Sequence, residues 1–229
     1  DVFFEFEDTF RSTVRKRLAV LRQHLLETGS SRLQIAVEPE IKTLMLEMLV
    51  ECFFGTSIDY QELQEVYVPA LERIIDHIVR DTVINQLGLP RSLLARFSRR
   101  YAQANRDFAA FEELTDRVLA SRLSGRGLWK RFRAEVPDAA LRSNIKVFLA
   151  GALEVTTSYA TWTISHLARN EPWQEKVFCE VEAIADYSPE QLSGARHLGF
   201  VLDETLRLTP SLYFLPRKAT VPTRIQTAD

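Results

Sequence analysis

Cysteine is nearly absent: Cys52 and Cys179 are the two in 229 residues. Two cysteines cannot build a disulfide framework, and they favour a reducing, cytoplasmic setting. No apolar run reaches the roughly 18 residues of a membrane helix, so no membrane segment is expected. Asp1 to Asp8 has neither a basic stretch nor an apolar run after it, which excludes a signal peptide. Nor does the chain open on Met. With the abrupt close at Thr227-Ala228-Asp229, this gives the expectation that both ends belong to a longer parent. The formal net charge of −2 offers no global attraction to nucleic acid or an anionic membrane. There is no Walker loop, G-x-S-x-G, C-x-x-C or H-E-x-x-H. His24, His77, His166 and His197 stand alone, so no metal site is expected.

Glycine is also scarce, at 8 residues, and apolar residues mostly recur at three and four, which predicts helices. The first run covers Val2 to Glu27, with Phe3, Phe6, Phe10, Val14, Leu18, Leu21 and Leu25 on one face, and stops at Gly29-Ser30-Ser31. Pro39 opens a second, Glu40 to Phe54, apolar nearly all round and therefore buried. A third spans Glu62 to Gln86 and a fourth, rich in Arg, spans Arg91 to Leu123. A long fifth runs from Pro137-Asp138 to about Arg169. A short sixth follows Asn170 to Ala185. Ser188-Pro189-Glu190-Gln191 is a helix start, with a Ser cap and Pro in the first turn. The last helix covers Leu198 to Leu208. Beyond it Pro210, Pro216 and Pro222, among β-branched and aromatic residues, predict extended structure over Leu212 to Ile225. The expectation is one mainly α domain over residues 1–229, with a little β after the last helix.

Two motifs carry chemistry. Glu204 and Arg207, three apart, share a helix face and can pair. Their surroundings, Phe200-Val201-Leu202 before and Leu208 and Pro210 after, predict a buried, hydrogen-bonded pair. The second motif is Ala150-Gly151-Ala152-Leu153-Glu154-Val155-Thr156-Thr157-Ser158 in the fifth helix.

Leu202-Asp203-Glu204-Thr205-Leu206-Arg207-Leu208-Thr209-Pro210 resembles the E-x-x-R helix of cytochromes P-450, the haem-thiolate monooxygenases. The fifth-helix motif is similar to that family's oxygen-binding helix, and Trp162, eight past Glu154, fits the same wording. Glu51-Cys52-Phe53-Phe54-Gly55 looks like the end of the family's E helix. The third and fourth runs fall where its pocket lid lies. The resemblance implies a haem cofactor in the intact parent, an apolar small-molecule substrate and an electron-transfer partner. It assigns Glu154, Thr156 and Thr157 to proton delivery. Gly151, Ala152 and Val155 become the haem-facing positions, Arg217 the partner of a haem propionate, and Leu212, Tyr213 and Phe214 the substrate pocket.

Two departures stand beside it. Counted from Glu154, the key Thr position holds Val155; alternatively Ala150-Gly151 is the match and one residue is inserted. The Val155 register needs the helix to widen near Gly151. The family's Cys loop, F-x-x-G-x-x-x-C-x-G, does not occur, and Cys52 and Cys179 both read as packing thiols. The second expectation is thus a haem-free, truncated helical module that binds a partner or an apolar ligand.

Overall fold

The structure, a computed structural model, describes residues 7–85, 88–124, 127–130, 137–185, 188–212 and 220–221. Among them there are helices and no strand. The expected extended segment lies outside the described residues apart from Leu212, Thr220 and Val221.

Helix α1 (Glu7–Glu27) carries Glu7 and Asp8 in its first turn, where negative charge suits the helix dipole. It lies along α2 (Val37–Met48). Glu40 on α2 receives Arg17 Nε from α1 at 2.8 Å and Tyr60 Oη at 2.9 Å. Tyr60 opens the single turn α3 (Tyr60–Glu62). The second helix starts at Val37, earlier than the sequence predicts, with Pro39 inside the first turn, where its missing N–H costs nothing.

Past Met48 the backbone widens into a π turn, Leu49–Phe53. Cys52, Phe53 and Phe54 are all buried. The rings of Phe53 and Phe54 meet Phe148 at 5.3 and 5.5 Å. Trp129 lies 5.4 Å from Phe54 and donates from Nε1 to Ser121 Oγ at 2.9 Å. A second π turn, Leu63–Tyr67, leads into α4 (Val68–Ile84).

The fourth run divides into α5 (Arg91–Leu94) and α6 (Arg99–Ala120). The break falls at Ser98, whose backbone is extended, beside Phe97, which is 85% exposed. Part of the Arg-rich stretch is occupied internally: Arg91 covers the Phe108 ring at 3.7 Å and Arg100 faces Asp76 at 3.7 Å.

Helix α7 (Asp138–Ala168) is continuous for 31 residues. Leu141, Ile145, Leu149, Leu153 and Thr157 recur every four and are buried, the periodicity of one helix face. That face meets α2 and α6. Each such Leu or Ile, fully buried, contributes about 1.5–3 kcal/mol over leaving it in water. α8 (Glu171–Glu182), α9 (Pro189–Gly194) and α10 (Arg196–Leu208) follow, with α10 packed on α7 and α8. Cys179, read as a packing thiol, is exposed on α8; Cys52 is buried. The apolar neighbours of Cys179 in sequence divide between faces: Val177 turns inward, while Phe178 stays 58% exposed.

Candidate functional site

The side of α7 opposite its buried stripe is left largely uncovered by the described residues. Val147, Val155 and Trp162 are 74%, 38% and 42% exposed. Gly151 lies on the same side, and a Cβ added there would meet nothing within 4 Å. Four-residue steps bring Val147, Gly151 and Val155 into one row. The row is apolar. Ala152 is turned toward the core cluster. Val155 keeps its carbonyl engaged with Ser211 Oγ, which donates at 3.0 Å. The widening expected near Gly151 is not there: α7 is an α-helix throughout, because its buried stripe keeps strict four-residue steps against α2 and α6. The described π turns lie in other elements.

Glu154 stands one residue round from this row. Its Oε1 is 3.3 Å from Lys42 Nζ on α2. Lys42, 3% exposed, also meets Glu72 of α4 at 2.9 Å and Glu38 at 3.6 Å. Burial works against the charge on Lys42, yet the hydrogen bond it donates to Glu72 and the charges of Glu154 and Glu72 together hold its pKa above the ordinary lysine value. Thr156 is exposed, and its hydroxyl donates back to the Ala152 carbonyl, as helical Thr commonly does. Thr157 is 1% exposed, and its hydroxyl has no hydrogen-bond partner among the described residues. The three proton-delivery candidates therefore point three ways, and Val155 is the one beside Gly151 on the open row.

Glu204 and Arg207 pair through two hydrogen bonds, at 2.7 and 2.6 Å. The pair is not buried: the two side chains are 52% and 67% exposed. The apolar residues around them in sequence, Phe200, Leu206 and Leu208, are about half exposed as well, so the helix face offers no dry pocket. Arg207 holds the Glu204 carboxyl below its usual range. Both line a groove of about 660 Å³, walled by Leu167, Trp173, Phe200 and Leu208. Leu212 is exposed; Tyr213, Phe214 and Arg217 lie outside the described residues.

Neither cysteine is placed as an iron ligand. Burial, with Glu51 and Glu47 beside it, pushes the Cys52 thiol up to about 12. The hydrogen bond to Glu175 raises Cys179. Among the described residues no group of three or more His, Cys, Asp or Glu could hold a metal ion, and no helix is long and apolar enough to cross a membrane. The sequence reading missed Lys42. Its signal was present: Lys42 is the one cation in the run Glu40 to Phe54, set among apolar residues, and Glu38 stands four before it.

Comparison with known proteins bears on this geometry. The family model described as Cytochrome P450 matches residues 2–228. "Cytochrome P450 4F5" of Rattus norvegicus is 26% identical over 86% of the chain and 43% of its own length. "Cytokinin hydroxylase" of Arabidopsis thaliana is 40% identical over 32% of the chain and 15% of its own length. The chain thus spans less than half of these relatives. A crystal structure of a cytochrome P450 (CYP102L1) superposes with a TM-score of 0.69 at 17% identity, over 89% of the chain and 48% of that structure, which shows the fold.

Proposed function

The chain belongs to the cytochrome P450 family, and on that premise we propose that it is part of a haem-dependent monooxygenase acting on an apolar small molecule. Electrons would come from a separate redox partner. The observation that carries this reading is the apolar, exposed row on α7, at Val147, Gly151, Val155 and Trp162. An open glycine among exposed apolar side chains is what the face of a haem would need. When bound, the haem supplies the oxygen chemistry, and the protein supplies orientation and charge. Gly151 lets a planar ring come close, with Ala152 behind it. Arg217 would pair a propionate, since a guanidinium fork suits a carboxylate. Leu212, Tyr213 and Phe214 would line the substrate pocket. Glu154, held by Lys42, is the proton-handling carboxylate nearest the row; Val155 brings no hydroxyl there, and Thr156 spends its own on Ala152. The axial thiolate belongs to neither cysteine, because Cys52 is buried and Cys179 sits on α8.

Hemin titration of the 229-residue chain tests the row. Hemin should quench Trp162 fluorescence, and Gly151→Phe should block binding with the circular dichroism unchanged. The reduced, carbon-monoxide-bound form should show no thiolate band. Equal binding by the Phe variant and the native chain counts against the assignment. A second reading is a haem-free module that takes an apolar ligand into the groove beside Trp173 and Phe200. In that case an apolar probe quenches Trp173 and hemin does not compete.

A further inference from the structure

We infer that Lys42 is a positioning residue shared between α4 and α7, so that the hold on Glu154 depends on where α4 places Glu72. The inference deepens the proposed function, since it takes Glu154 as the proton-handling carboxylate.

The Lys42 side chain is 4% exposed, and a buried ammonium requires compensation by partners. Its partners come from three helices. Glu72 on α4 is at 2.9 Å, Glu154 on α7 at 3.3 Å, and Glu38, one turn earlier on α2, at 3.6 Å. Three carboxylates thus share one cation; their side chains are partly exposed, but the Glu154 Oε1 that faces Lys42 is itself shut off from water. An ammonium has three donors, but its one charge is divided. Glu72 holds the closest contact, so Glu154 is the weaker partner. Removing Glu72 gives Glu154 a larger share; removing Lys42 frees it altogether.

Glu154 lies about 60° round α7 from Gly151 by helix geometry, at the edge of the open row. A carboxylate released from Lys42 reaches that row without any change in the backbone. One held more tightly is drawn toward α2. By resemblance α4 falls in the lid over the substrate pocket. A shift of α4 therefore alters Glu154 through a charge, with no movement of α7 needed.

Carbodiimide-driven labelling of carboxyls, read by mass spectrometry on the full 229-residue chain, follows Glu154 directly. Glu72→Gln should slow Glu154 labelling. Glu72 is 44% exposed, and Glu154 and Glu38 remain beside Lys42 to compensate its charge, so circular dichroism of this variant should match the native chain. Lys42→Met should speed labelling, and Lys42→Arg should restore the native rate. A merely structural strut would leave Glu154 labelling unchanged in Glu72→Gln while still lowering the melting temperature in Lys42→Met. That result, or faster labelling in Glu72→Gln, overturns the proposal. None of these readouts involves haem, so a failed hemin titration would count against the proposed function and leave the Lys42 clamp standing.

Discussion

Cys52 and Cys179 carry the same thiol into opposite surroundings, one buried and one exposed. Burial is the main cause that lifts Cys52 from 9.0 to about 12, with Glu51 and Glu47 adding to it. The fold therefore favours the neutral thiol. A group whose pKa rises on folding contributes its stability fully below the unfolded value and loses it as pH climbs through the folded one. For Cys52 that window runs from about 9 to about 12. Lys42, Tyr60 and Tyr67 are raised too, so they weaken the fold on the same alkaline side. The urea midpoint should fall as pH rises through this window, and Cys52→Ala should flatten the fall. An aromatic disulfide reagent near neutral pH should label Cys179 quickly and Cys52 only on unfolding; matching rates would contradict this placement. The Glu204–Arg207 pair shows the other side of the same rule. It was expected in a dry setting, yet both side chains stand half or more in water, where an ion pair contributes little. Spacing told that the two meet, because i and i+3 share a face. It could not tell what covers them, since burial is set by elements far away in sequence.

Local signals give helices their ends, and those ends were legible. Pro172 sits in the first turn of α8, and Ser188 Oγ accepts from Gln191 N to start α9. The 31 residues of α7 follow from an unbroken apolar period. Where no glycine or proline marks a change, the sequence is silent. Ala95-Arg96-Phe97-Ser98 reads as helix, yet it separates α5 from α6. The π turns at Leu49–Phe53 and Leu63–Tyr67 are equally unmarked; an extra residue in a turn is stabilised by what packs on it, here Phe148 against both Phe53 and Phe54. The π turn after α2 is also tied to Gly127. That glycine has φ +57°, and a Cβ on it would fall 2.4 Å from the Phe53 carbonyl oxygen and 2.6 Å from that of Cys52. Backbone atoms cannot swing aside as a side-chain tip can. Gly29 has a similar φ, +61°, with nothing within 4 Å. Gly29→Ala should thus cost about 1–2 kcal/mol, the left-handed penalty alone. Gly127→Ala should cost more, by roughly 1–3 kcal/mol of added strain. Urea denaturation of the two variants checks the order; equal losses would mean that the 127–130 turn is not held against Phe53.

The main apolar cluster is unevenly spread along the chain. Its buried members run from Leu46 to Leu153 and come from α2, the two π turns and the stretch between them, α4, α6, the Trp129 turn and the first half of α7. No described residue of α8, α9 or α10 belongs to it. Those helices bury little of their own: Val177, Thr205 and, between α9 and α10, Ala195 are buried, while Phe178, Phe200, Leu206 and Leu208 are about half exposed. Sequence periodicity made all these segments look alike, because an apolar stripe shows that a face wants cover and not whether it finds any. The candidate site straddles the divide, with Glu154 on the core side and Glu204–Arg207 beyond it. That is why its motifs could be read singly and their arrangement could not. Stability is then expected in two tiers, since local opening follows buried contact. Under native hydrogen exchange, amides of α2, α6 and α7 through Leu153 should be the slowest. Amides of α8 and α10 should exchange well before them, by opening that leaves the cluster intact. Leu149→Ala, which cuts into the cluster, should cost about 2–5 kcal/mol and raise exchange throughout. Phe200→Ala, on an exposed face, should speed α8 and α10 alone. Uniform protection across both sets, or a global effect of Phe200→Ala, would show that α10 is part of one cooperative unit with the cluster.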